Sequence, residues 1–170
     1  VYKNELIRGD VYIPFTQNTV SLGWGVIPLV VFIFIATTNS VNLTDGLDGL
    51  AASTTLVYMA GIAAIIAIVA ADADKNGLSL YVKEYQGLLT VCFATVGSLA
   101  GFLLFNCFPA KIFMGDVGSL ALGGVVACVS ILGRLSLYIP ILGVMFATSA
   151  VSDIIQVVHY KRCLLYTSPS

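Results

Sequence analysis

Asn42, Asp45 and Asp48 follow one another at intervals of three in the stretch NSVNLTDGLDG, residues 39–49. Residues three apart on a helix are neighbours, so this spacing puts a carboxamide and two carboxylates on one face. Gly46 and Gly49 leave the backbone bare beside them, which lets a phosphate or a sugar approach closely. The plainer alternative is a solvated helix end whose acids cap the next helix. The stretch follows an apolar run, however, and ionisable groups at a membrane boundary point to function.

A second constellation is FNCFPAKIFMGDVGS, residues 105–119. Pro109 and Gly115 interrupt any helical pattern, so the segment reads as a shaped loop between two apolar runs. It carries Asn106, Lys111, Phe113 and Asp116. Lys111 can meet a phosphate as a point charge, and Phe113 offers a face on which a base can stack. Asp116 is open to two readings, a cap on the following helix or a metal ligand. Three carboxylates drawn to one place repel unless a cation lies among them. Mg²⁺, which takes one or two carboxylates and fills its shell with phosphate oxygens and water, is the expected cofactor. Neither a Walker A loop nor a dinucleotide glycine motif is present.

The elements that must hold these loops are apolar. Of 170 residues, 58% are hydrophobic and 10% charged, with a mean hydropathy of +0.97. Soluble domains carry about a quarter charged residues, so the expected solvent is a lipid bilayer. A net charge of −1 gives no basic patch, so no nucleic acid is expected. Five spans are predicted, at about 22–40, 50–71, 87–105, 119–133 and 137–160, in an all-α polytopic transmembrane bundle. Residues 1–20 alternate polar and apolar and read as a short hairpin turning at Gly9-Asp10. Five crossings bring the loop at 42–49, the loop at 106–116 and the tail after Tyr160 to one side. The polar loop 72–86, with Asp72 and Asp74, and the turn at Arg134 fall on the other. Cys92 and Cys128 lie in apolar runs and read as packing residues. His159 reads as a boundary histidine. Asp153 and Gln156, three apart in the last span, share a face expected to point into the bundle.

Both motifs, NSVNLTDGLDGLA and FNCFPAKIFMGDVGSLALGG, resemble the polyprenyl-phosphate N-acetylhexosamine-1-phosphate transferases. Within that family they resemble the branch that uses UDP-N-acetylmuramoyl-pentapeptide. Sister enzymes that take UDP-GlcNAc share the acidic pattern but more often carry Ile at the position of Thr44 and Ala at that of Val117. The resemblance covers about residues 1–162, a partial transmembrane transferase domain supplying five spans of about ten. It leaves residues 163–170 (CLLYTSPS) unmatched, as a tail of non-native appearance. The resemblance implies transfer of a phosphosugar from the UDP-linked donor to undecaprenyl phosphate, at the cytoplasmic face of a bacterial inner membrane. It implies that Asp116 binds Mg²⁺, that Asp45 and Asp48 line the catalytic cleft, and that Asn42 stands beside them. Phe113 would stack the uracil, with Asn106 contacting the nucleotide end and Gln156 near the same pocket, while Lys111 is a substrate contact expected from its charge. Its cytoplasmic cleft conflicts with the charge count, since Lys3, Arg8, Lys75, Lys83 and Arg134 all fall opposite the motifs. A further acidic pair and a His-rich loop belong to the family and lie outside these residues, so the chain alone is expected to be inactive. Whether two copies pair as a homodimer is left open. A transporter segment is the reading from another class, since intramembrane acids also mark ion paths; no inverted repeat supports it.

Overall fold

The computed structural model describes residues 10–12 and 19–166, with side chains over 21–161. Two short antiparallel strands, β1 (Asp10–Tyr12) and β2 (Thr19–Ser21), pair with Asp10 opposite Ser21. The expected hairpin is therefore present, but its turn is not at Gly9-Asp10. Asp10 belongs to β1, and the connection falls at 13–18, outside the described residues.

The rest is helical: α1 (Val26–Thr44), α2 (Leu50–Lys75), α3 (Ser79–Asn106), α4 (Gly115–Leu132), α5 (Ile139–Leu142) and α6 (Val144–Tyr166). Among the described residues, four helices are long and apolar enough to cross a membrane, and a fifth crossing exists only if the bent pair α5–α6 is one span. Large apolar side chains such as Phe32, Ile35, Phe93 and Leu104 point outward. Such a surface is stable against lipid rather than water. Pro28 sits in the first turn of α1, where the missing N–H has no intrahelical partner to lose.

Two expectations about connections need correction. Residues 72–86 are not a loop. The α2 helix continues to Lys75 and α3 starts at Ser79, so the connection is Asn76-Gly77-Leu78. Gly77 has φ +72°, and the Gly77 and Leu78 amides donate to the Asp74 and Ala73 carbonyls. That is a Schellman stop, for which Asn-Gly is the sequence mark. The polar residues flanking it, Asp72 and Asp74 among them, are exposed on helix ends that rise out of the apolar layer.

Nor is the fifth span continuous. A 3-10 turn at Ser136–Tyr138 leads into α5, and α5 meets α6 with a 72° bend. Pro140 opens α5, and Gly143 sits at the break with no room for a Cβ, which would lie 2.6 Å from the Ile139 carbonyl oxygen. Past the bend the first turns of α6 pack against α1, and the helix beyond Asp153 is exposed. Asp153 is half-buried but Gln156 is exposed, so the face they share does not enter the core as expected. The backbone of α6 continues through Tyr166, and 167–170 lie outside the described residues.

Packing forms two antiparallel pairs, α2 with α3 and α1 with α4, whose shared core is Val41, Tyr58, Met59, Ile62, Ile66, Cys92, Val126 and Val129. Cys92 is buried there as expected, whereas Cys128 is exposed on the outer side of α4. The Ser130 hydroxyl donates to the Val126 carbonyl, so the Tyr58 hydroxyl, 2.7 Å away, donates to Ser130 and ties α2 to α4. The Tyr58 ring also meets Phe146 at a centroid distance of 5.9 Å. This contact ties the first turn of α6 to α2, beside the packing of α6 on α1.

The α1–α4 pair keeps one register along its length. Gly123 lies against Thr37 and Thr38, Asn42 bonds Ser119, and Asp45 feels the charge of Asp116. Steps of four and three on α1 match steps of four and three on α4, as antiparallel helices of equal pitch require. Gly115, Ser119, Gly123 and Ala127 place a small residue at every fourth position of α4. Small residues at that spacing let two helix backbones close on each other in a membrane.

Candidate functional site

The two motif loops meet at one end of the bundle. Four hydrogen bonds link them or the helices that carry them. The Asn42 Nδ2 donates to Asp116 Oδ1 at 3.1 Å and to Ser119 Oγ at 2.8 Å. The Ala110 amide donates to Asp48 Oδ2 at 3.0 Å. The Gly49 amide donates to Asn106 Oδ1 at 3.1 Å. The expectation that the two loops share a side of the membrane is thereby met.

Their arrangement differs from the one the spacing suggests. Asn42, Asp45 and Asp48 do not share a helix face, because α1 ends at Thr44, Asp45 is its C-terminal cap residue, and Asp48 stands in the turn before α2. None of the three acids is the N-terminal cap of a helix. The cap of α2 is Gly49 and that of α4 is Met114, neither with a side-chain bond, while Asp116 lies in the first turn of α4. A carboxylate there is favoured by the helix dipole. Gly49 has φ +73°, and a Cβ on it would stand 3.4 Å from the Asn106 carbonyl oxygen. Glycine is therefore favoured at this position by its backbone conformation, while a Cβ would meet α3 at ordinary contact distance.

Asn106 is 3% exposed, and both ends of its amide are committed: Oδ1 to the Gly49 amide, Nδ2 to the Ile112 carbonyl at 2.8 Å. It joins the α1–α2 turn to the α3–α4 loop, with no amide atom directed at the cleft. The Phe105 carbonyl takes the Lys111 and Ile112 amides, folding the loop into a collar. On that collar Phe113 is 71% exposed, and Lys111 is exposed beside it. Gln156 stands apart, bonded to Ser152 of its own helix.

The carboxylates divide by environment. Asp48 is held by the Ala110 amide and belongs to the joint between loops. Asp45 has its pKa raised, first by burial and then by the negative charge of Asp116. The three acids thus do not converge on one cation. Among the described residues no three His, Cys, Asp or Glu side chains lie close enough to hold a metal. Asp116 and Asp45 remain as a two-carboxylate oxygen donor set, which suits Mg²⁺ completing its shell from phosphate and water. A raised folded-state pKa means that ionising Asp45 costs stability. That cost is absent at pH below the ordinary carboxylate range and is incurred as pH rises through the raised value. Asp45→Asn should therefore raise Tm slightly at pH 7, and the gain should vanish as pH falls into the carboxylate range. Melting curves of both chains at several pH values check this; an unchanged or lower Tm at pH 7 would count against the assigned shift.

Two contributors were missed by motif reading, Ser119 and Gly123. Ser119 is fully buried and bonds Asn42, and Gly123 admits the backbone of Thr38. Their signal was available in the repeat of small residues at 115, 119, 123 and 127, which has no charged group to draw the eye.

The glycosyl transferase family 4 model matches residues 6–134, a range that takes in both motif loops and the whole α1–α4 pair. A phospho-N-acetylmuramoyl-pentapeptide-transferase of Clostridium novyi is 42% identical over 160 residues, covering 94% of this chain and 45% of the relative. The enzyme of that name from Acetivibrio thermocellus is 42% identical over 163 residues, covering 95% and 46%. That of Clostridium botulinum Eklund 17B is 45% identical over 156 residues, covering 91% and 44%. The chain thus spans about half the length of the curated relatives it matches. With a family model covering most of its length and both loops meeting at one membrane end, this chain belongs to glycosyl transferase family 4.

Proposed function

We propose that these residues form the nucleotide-phosphate half of a phosphoglycosyl transferase. It would move phospho-N-acetylmuramoyl-pentapeptide from UDP to undecaprenyl phosphate at the cytoplasmic face of a bacterial inner membrane. The observation that carries the reading is the joint itself: two loops from separate helix pairs present Asp45, Asp116, Lys111 and Phe113 at one membrane boundary. The similarity to enzymes named phospho-N-acetylmuramoyl-pentapeptide-transferase favours this donor over UDP-GlcNAc.

In the reaction an oxygen of the lipid phosphate attacks the β-phosphorus of the donor. The bond from that phosphorus to the bridging oxygen breaks, UMP leaves with the electron pair, and a lipid-linked pyrophosphate remains. Phe113 stacks the uracil ring on its exposed face. Lys111 meets phosphate charge from the same collar. Asp116, steadied by Asn42, and Asp45 would hold Mg²⁺, which when bound would neutralise charge on the pyrophosphate. Asp48 and Asn106 keep the two loops in register. A site at the bilayer edge suits an acceptor whose polyprenyl tail stays in lipid while its phosphate reaches water.

Because the chain spans about half of its relatives, the assay uses a chimera in which it replaces the aligned stretch of the Acetivibrio thermocellus relative. UMP release is followed with UDP-N-acetylmuramoyl-pentapeptide and with UDP-GlcNAc in competition. The muramoyl donor should be used at least tenfold faster. Preference for UDP-GlcNAc would move the chain to the sister activity.

A further inference from the structure

Ser119 sits at the centre of a closed set of hydrogen bonds. Its Oγ lies 3.1 Å from the Gly115 carbonyl oxygen and 3.2 Å from that of Asp116. Carbonyl oxygens only accept, so the Ser119 proton is directed to that pair and its lone pairs face Asn42. Only the amino end of the Asn42 carboxamide can then satisfy Ser119, which settles which way the amide is turned. The same Nδ2 spends its other proton on Asp116 Oδ1. Asn42 Oδ1 and Asp116 Oδ2 take no hydrogen bond among the described residues. The ring runs from the Asp116 backbone through Ser119 and Asn42 back to the Asp116 carboxylate.

We infer that Ser119 is a positioning residue for the cation site: through Asn42 it fixes the Asp116 carboxylate with one oxygen bound and the other open. The inference rests on the proposed Mg²⁺ role of Asp116. Ser119 is fully buried under α1 and is screened from substrate, so it acts through Asn42 alone. Without the Ser119 acceptor, one Asn42 amide proton loses its partner and the amide is held by the Asp116 carboxylate alone. The amide and the carboxylate it holds are then free to swing together. Outer partners of metal ligands typically contribute about 10–100-fold in affinity.

The test measures binding of Mn²⁺ alone, by electron paramagnetic resonance, to the purified 170-residue chain in detergent micelles, with Tm recorded for each variant. Ser119→Ala should weaken Mn²⁺ binding by about 10–100-fold. Asn42→Ala, at a half-exposed position that tolerates truncation, should weaken it equally. The double variant should be no worse than Asn42→Ala, because the serine acts through the amide. Loss of packing alone would lower Tm without this non-additivity. Mn²⁺ binding by Ser119→Ala at the wild-type affinity, with Asp116→Ala unable to bind, would overturn the inference and leave the metal assignment standing. Losses that add in the double variant would also overturn it. Equal binding by Asp116→Ala and the wild type, or binding by neither, would overturn the metal assignment and the inference with it.

Discussion

Asp116→Asn should lower the turnover of the chimera by about 10³-fold while leaving the helical fold intact. The substitution keeps the size of the side chain and an oxygen able to accept from Asn42 Nδ2, so the α1–α4 contact survives. What disappears is the negative charge. Losing one element of preorganised charge stabilisation at a reacting phosphoryl group costs about 10²–10³ in rate, and a ligand to the cation that supplies it belongs at the upper end. Removing that charge also removes the electrostatic contribution that raises the Asp45 pKa. Relief of that repulsion and loss of the attraction to the α4 dipole oppose each other, so the variant should melt close to the parent, and its residual activity should need far more Mg²⁺. Steady-state UMP release at graded Mg²⁺, with Tm measured alongside, separates the alternatives. A variant that keeps more than a tenth of the parent turnover at ordinary Mg²⁺ would remove Asp116 from the chemistry.

Gly123→Ala should be nearly as damaging, although the glycine lies two helical turns from Asp116 and touches no substrate. A Cβ at this position would stand 2.6 Å from Thr38 Cα, 3.1 Å from the Thr37 carbonyl oxygen and 3.2 Å from that of Thr38. All three are backbone atoms of α1, with no flexible side chain to move aside. The helices must part, at a cost of about 1–3 kcal/mol for overpacking. Asn42 and Ser119 lie one turn along the same contact, so parting the helices also pulls the amide off its partners. A displacement of about 1 Å at a catalytic group can cost about 10²-fold in rate. Gly124→Ala is the internal control, since a Cβ there meets only a Phe34 ring carbon at 3.9 Å. The expected pattern is a lowered Tm and about 10²-fold lower UMP release for position 123, and neither for position 124. Equal behaviour at both positions would mean that the α1–α4 contact does not position the site.

What the sequence made legible follows from which physical signals are local. The bilayer solvent and the identity of the four long helices are carried by composition and run length, and the expected spans at 50–71 and 87–105 lie inside α2 and α3. The pairing of the two loops at one membrane end follows from counting crossings. Helix ends were harder to read. Polar residues such as Asp72, Lys83 and Glu84 read as loop, because a helix emerging from lipid becomes polar without ceasing to be a helix. The Asn76-Gly77 stop was the better mark. The break at Gly143 was likewise marked by Pro140 and Gly143, but an apolar run of spanning length hid it.

Within the site, the residue types were legible and their partners were not. Spacing by threes assumed that α1 continues through Asp48, whereas it ends at Thr44 and the acids scatter. Asp48 turns to the Ala110 amide, Asp45 approaches Asp116, and Asn106 spends both amide ends on the joint. The bonds between the two loops and their helices cross 57 to 77 positions of sequence, and no local pattern encodes which atom meets which. The role of Ser119 was hidden for the same reason, since a buried serine in a small-residue stripe looks like packing until its partners are known.

The most direct test of the central claim is the identity of the products. The chimera is incubated with undecaprenyl phosphate, UDP-N-acetylmuramoyl-pentapeptide and Mg²⁺, and the nucleotide and lipid products are weighed by mass spectrometry. Phosphoglycosyl transfer gives UMP and a lipid pyrophosphate carrying the muramoyl-pentapeptide, in equal amounts, with neither formed by the Asp116→Ala chimera. Release of UDP in place of UMP, or no lipid product from a folded chimera beside an active parent enzyme, would contradict it.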